Sequence, residues 1–182
     1  MHGIEGALFI LLLLFIIGFI THEVEEILVQ RKWMLKNEAT LKQRFPMLRK
    51  VFDHLLSLDT KAFVIAVIEE FIVVALIIIS ISYLEKTINI YFLPIQGIFF
   101  AYTLHLLVHI FQGIIFRGYV PGLVTAIVQF LIFGPFLVFY FHDIRLFLAG
   151  LAGVCILFLN LLFAHWLGRK VSSPLSKNKQ ND

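Results

Sequence analysis

A chain of 182 residues that is 60% hydrophobic and only 15% charged lies outside the range of soluble domains, which carry about 45–50% apolar and about 25% charged residues. Its composition excludes a water-soluble enzyme and reads as a single all-α integral membrane domain. The formal charge of +3 needs no nucleic acid, and the lone cysteine, Cys155, excludes an intramolecular disulfide.

Five apolar runs, each near the 20 or so residues that cross the hydrocarbon, are predicted near 4–29, 61–84, 88–116, 119–141 and 144–168. The alternation of a membrane barrel is absent. The first run lacks a basic leader and a small-x-small cleavage site, so it reads as a retained helix. It passes without a break into THEVEE, residues 21–26. The segment 31–61 that follows is basic, with Arg31, Lys32, Lys36, Lys42, Arg44, Arg49, Lys50 and Lys61. Within it, 46–59 predicts an amphipathic helix lying in the membrane interface, opened by Pro46, with Met47, Val51, Phe52, Leu55 and Leu58 on one face. His54 on that helix reads as a headgroup-level residue.

The second run carries Glu69 and Glu70, and the third carries His105, His109 and Gln112. Arg117 follows, and Pro121 is placed to start the fourth helix at its first turn. The fifth run holds Asn160 and His165. One membrane domain therefore covers 1–170, and the polar tail 171–182 is expected to be disordered. The far side carries only Lys86 and Arg145, so the positive-inside rule puts the N-terminus outside and the tail in the cytoplasm of a cell membrane.

Counting about 1.5 Å of rise per residue from the basic ends, polar residues of four helices reach one level in the cytoplasmic half. His22, Glu25 and Glu26 lie about 8–14 Å in, Glu69 and Glu70 about 12–14 Å, His105 and His109 about 12–18 Å, and Asn160 and His165 about 14 and 6 Å. The spacing His22, Glu25, Glu26 shares one helical face, as does His105, His109, Gln112. Glu23 falls off the first of these faces and reads as structural or headgroup-facing.

Ionised carboxylates at that depth cost several kcal/mol unless paired, protonated or metal-bound. A divalent cation resolves this directly, since carboxylate and neutral imidazole are its ordinary ligands. The expected ligands are His22, Glu25, Glu69, His105 and His109. Glu26 and Glu70 are placed as acid–base groups, and Gln112 and Arg117 as substrate contacts. Zinc heads the candidate ions, with iron and manganese behind it. The chemistry that fits is hydrolysis of a lipid, a lipid-linked group or a membrane-embedded peptide. Two alternatives stay open: transport or sensing of a metal ion or proton, with a second copy of the chain completing the machine, and a scaffold glued by its polar cluster.

The motif His22-x-x-Glu25-Glu26, the Glu69–Glu70 pair, His105-x-x-x-His109 and RGYVPGLVTA at 117–126 occur in order on successive helices. Together, over roughly residues 15–130, they resemble the HXXEE family of bacterial integral membrane proteins. The resemblance implies a membrane protein with a metal site and brings no activity with it. A zincin pattern fails, because Leu106 stands where the glutamate after His105 is required.

Overall fold

Apolar sequence in lipid must satisfy its backbone within each segment, and a helix does so. The computed structural model describes residues 2–84 and 93–177, and among these every regular element is helical. The α-helices are α1 (His2–Arg44), α2 (Arg49–Leu56), α3 (Thr60–Leu84), α4 (Leu93–Phe116), α5 (Leu123–Phe133), α6 (Leu137–His142) and α7 (Ile144–Lys177). Four stretches are long and apolar enough to cross a membrane: Thr60–Ser80, Ile95–Phe116, Leu123–His142 and Ile144–Ser172. They fall on the second to fifth predicted runs.

The first difference from expectation is the length of α1. It does not stop near residue 29 but continues unbroken through the basic segment to Arg44. No helix breaker intervenes before Pro46, which has no N–H to extend the ladder. The predicted helix at 46–59 is instead a 3₁₀ turn, Pro46–Leu48, followed by the short α2. The extension of α1 gives α2 a surface to pack on. Phe52 is buried against Met34 and Leu41, while Met47 and Val51, expected on the same face, are exposed.

The fourth run is not one helix from Pro121. Gly122, at a left-handed φ of 75°, caps α5, whose first residue is Leu123. A 3₁₀ turn over Gly134–Phe136 then separates α5 from α6, because Pro135 removes a backbone donor. α7 runs on to Lys177, into the tail expected to be disordered. Lys86, the start of the third run at 88–92 and the tail residues 178–182 lie outside the described residues.

α7 packs along α3 and α4, α5 packs on α4, and α1 lies against α2, α3 and α5. Where α4 meets α7 the backbones touch: a carbon added at Gly153 would sit 2.2 Å from the Gly97 carbonyl oxygen. Small residues at such crossings let helices approach without a hydrophobic drive. Around the N-terminal half of α1, Phe15 meets the rings of Phe99, Tyr102 and Phe133 edge-on, and Phe15 itself is 2% exposed. Further along α1, Met34, Leu41 and Phe52 form a second apolar cluster. His22 and Glu26 lie on α1 between these two clusters.

Candidate metal centre

Two pairs one turn apart, His22/Glu26 on α1 and His105/His109 on α4, face each other. Their ligand atoms all lie within 4.8 Å of one another. His105 Nε2 is 3.1 Å from both His22 Nε2 and His109 Nε2. Glu26 Oε1 is 2.8 Å from His109 Nε2 and 3.6 Å from His22 Nε2. Four ligands about 2.0–2.1 Å from a tetrahedral ion stand about 3.3 Å apart, so the spacing fits a single small cation.

The partners on the other side of the rings decide which nitrogen carries hydrogen. His109 Nδ1 lies 2.8 Å from the Pro121 carbonyl oxygen, which can only accept, so Nδ1–H donates. Thr125 gives its hydroxyl hydrogen to Glu25 Oε2 at 2.6 Å. Its oxygen therefore accepts from His22 Nδ1–H at 2.8 Å. When neutral, both rings thus present a bare Nε2 lone pair to the cluster, the tautomer that a metal-bound histidine adopts when an outer partner holds its Nδ1–H.

Lone pairs facing one another at these distances repel. While both rings stay neutral, Glu26 Oε1, sealed from solvent, accepts no hydrogen bond from either of them. Buried polar atoms are nearly always satisfied, and a cation at the centre satisfies all four at once. The residues present fit a metal.

The loop after α4 closes the cluster. Val120, Pro121 and Gly122 are buried. A Cβ on Gly122 would lie 2.8 Å from His22 Cε1, 2.9 Å from Glu26 Oε1 and 2.9 Å from His109 Nδ1. Only a glycine leaves this volume to the side chains and at the same time accepts the left-handed φ.

The other expected site residues are placed elsewhere. Glu25 turns away from the imidazoles and caps α5, whose own cap residue has no side chain. Its carboxylate accepts from Thr125 N–H at 2.8 Å, Val124 N–H at 3.3 Å and the Tyr119 hydroxyl at 2.9 Å. A carboxylate on these free amide donors is favoured by their geometry and by the helix dipole. Glu69 is not in the cluster, and its Oε2 accepts from Asn160 Nδ2 at 3.2 Å. Glu70 and Gln112 line a cavity of about 380 Å³ that begins at His105, His109 and Glu26. Arg117 is exposed, with a left-handed φ of 54°, and does not line that cavity.

Glu23, expected to be structural or headgroup-facing, is 7% exposed and lines the same cavity. Its signal was the spacing Glu23, Glu26, Gln30, a second polar face at i, i+3 and i+7. Thr125 and Gly122 were missed because their roles depend on α5 docking against α1. Gln129 was missed as well. Buried at 5%, it accepts from the Tyr102 hydroxyl and donates to the Gly18 carbonyl at 2.8 Å, so it ties α5 to α4 and α1.

A family described as "Protein of unknown function with HXXEE motif" matches residues 13–140. The chain belongs to the HXXEE family. No curated protein and no solved structure matches it. The HXXEE motif of this chain splits by function of position: His22 and Glu26 face the cluster, and Glu25 holds Thr125 and the start of α5.

This predicts that Thr125→Val, which leaves His22 Nδ1–H without its acceptor, weakens cation affinity by about 10–100-fold. Glu25→Gln acts in the same direction. Titration of the purified protein with zinc against a competing chelator reads the change. Unaltered affinity in both variants would mean that the outer hydrogen bonds do not set the rings.

Proposed function

We propose that this HXXEE-family protein is a metal-dependent membrane hydrolase acting on a lipid, a lipid-linked group or a membrane-embedded substrate drawn from the cytoplasmic leaflet. The observation that carries this is the cavity. It joins the four-ligand cluster to Glu70 and Glu23 and is otherwise walled largely by apolar side chains such as Met34, Leu41, Phe52 and Phe63. Its volume falls in the range of ligand pockets, about 300–1,000 Å³.

In this reading His22, His105, His109 and Glu26 hold the ion, zinc first and iron or manganese next. Glu26, placed at first beside Glu70 as a base, is then a ligand. Bound there, the ion supplies Lewis acidity and makes water acidic enough to react at neutral pH. Glu70, on the wall of the same cavity, would serve as the general base and then the general acid of the hydrolysis. Glu23 lies beside Glu26 and Glu70 and keeps the carboxylate wall close to the reacting centre. Gln112 orients the substrate from α4.

The same reading sets the chain in the membrane. The first half of α1 is a fifth span. α2 lies in the interface, with Met47, Leu48 and Val51 exposed toward lipid and Arg49 and Lys50 toward headgroups. One domain covers 1–170, with the N-terminus outside. The rings of Phe15, Tyr102 and Phe133 pack against one another beyond the cluster, which favours hydrolysis over transport.

The test is turnover of lipids by the zinc-loaded chain in liposomes. Glu70→Gln should keep its metal and lose about 10²–10⁴-fold in rate. Ion flux without lipid turnover would sink the hydrolase reading.

A further inference from the structure

Away from the cluster, the cavity reaches His165, which is buried at 6%. His165 is the inner end of a chain of donors. Arg169 Nη1, one turn further along α7, lies 2.9 Å from His54 Nδ1, and His54 Nε2 lies 3.2 Å from His165 Nδ1. Burial, and then the Arg169 charge, hold the His54 imidazole below its ordinary value, so the neutral ring accepts from the guanidinium, whose Nη1 is also 3.2 Å from His54 Nε2. His54 Nε2 and His165 Nδ1 share one hydrogen between them, and the His165 ring lines the cavity.

Neighbouring charges are already committed. Lys42 is paired with Asp53 at 2.6 Å and with Glu38 at 2.7 Å. Arg31 donates to the carbonyls of Leu56 and Leu58. Arg169, by contrast, meets only imidazole nitrogens and faces no carboxylate among the described residues. A guanidinium half-buried beside two imidazoles, with no anion, is a site that lacks its counter-charge. The adjoining walls of the cavity are hydrocarbon: Phe52 and Leu55 from α2, Phe63 and Val67 from α3, Leu161 from α7.

We propose that His54, His165 and Arg169 form a subsite for a phosphate group carried on a hydrocarbon chain, the chain filling the cavity between α2, α3 and α7. This deepens the hydrolase reading by naming its substrate class, a phosphate-bearing lipid. It rests on the cavity as the substrate site and not on the cation. Arg169 supplies charge and a fork of donors, His165 supplies an imidazole on the cavity wall, and α2 brings His54, which positions both, to the site from the interface. The carboxylates Glu23 and Glu70 line the part of the cavity shared with the cluster, where an anion is disfavoured, and this fixes the polarity of the bound lipid.

The experiment uses the full chain in mild detergent and follows quenching of Trp33, which lines the cavity, by brominated phosphatidic acid and by brominated diacylglycerol of the same chains. Phosphatidic acid should bind about tenfold or more tightly than diacylglycerol, the worth of a charge-assisted hydrogen bond. Arg169→Gln and, separately, His54→Gln should each erase that preference while diacylglycerol binding stays. The preference should persist in His105→Ala/His109→Ala, which tests the cluster and not this subsite. Millimolar inorganic phosphate should not displace the lipid. Equal affinity for both lipids, a preference that survives both glutamine variants, or displacement by inorganic phosphate alone would overturn the proposal.

Discussion

Purified in mild detergent without chelator, the protein should carry about one divalent ion per chain, and replacing His105 and His109 together by alanine should take that to about none. The reason is the geometry at His105. Its Nε2 stands 3.1 Å from the Nε2 atoms of both His22 and His109, so it is the central donor of the set. Removing it and His109 leaves His22 and Glu26, half of the usual four-ligand shell of a closed zinc site. Elemental mass spectrometry reads the ion and names it. Circular dichroism and gel filtration show whether the variant remains helical and monodisperse, as it should, because the aromatic packing around Phe15 and the contact of Gly97 with Gly153 lie apart from the substituted rings. Metal in neither protein, even after zinc, manganese or iron is added, would turn the cluster into protonated glue, and the hydrolase reading would fall with it.

Gly122→Ala should damage the same site without touching a ligand. A residue with a Cβ pays about 1–2 kcal/mol for the left-handed region, and φ here is 75°. The added methyl would also press on His22, Glu26 and His109 at 2.8–2.9 Å, an overpacking that costs about 1–3 kcal/mol. Together the loss is about 2–5 kcal/mol, enough to displace the loop from the cluster and with it the Pro121 carbonyl that fixes His109. Gly118→Ala is the control. It lies four residues earlier in the same loop, and the nearest atom to its added carbon is 4.0 Å away. Thermal unfolding and metal content of the two variants separate the effects: Gly122→Ala should be less stable and metal-poor, and Gly118→Ala close to the parent. Equal behaviour of the two would show that the loop does not form the roof of the cluster.

Much of this was readable along the chain. Continuous hydrophobicity demanded helices, because no other local structure satisfies a backbone in lipid. Helical rise placed the acids and histidines at one depth, and the i, i+4 spacing paired His22 with Glu26 and His105 with His109. Those inferences need only the geometry of a single helix. The length of α1 was less legible: apolar patterning ends near residue 29, but helix propensity does not, and the chain stays helical until Pro46.

What one helix cannot contain is its rotation against the next. Glu25 and Glu26 are adjacent in sequence and about 100° apart around the axis. Only the docking of α4 and α5 on α1 decided that Glu26 meets the imidazoles and that Glu25 serves as the cap of α5. The same docking brought Thr125 to His22 Nδ1 and gave Gly122 no room for a side chain. It also put Glu23, expected to be structural or headgroup-facing, into the cavity wall. Composition and periodicity act through the local backbone and so are written in the sequence. The identity of a ligand depends on contacts between residues some hundred positions apart, and these exist only once the helices have packed.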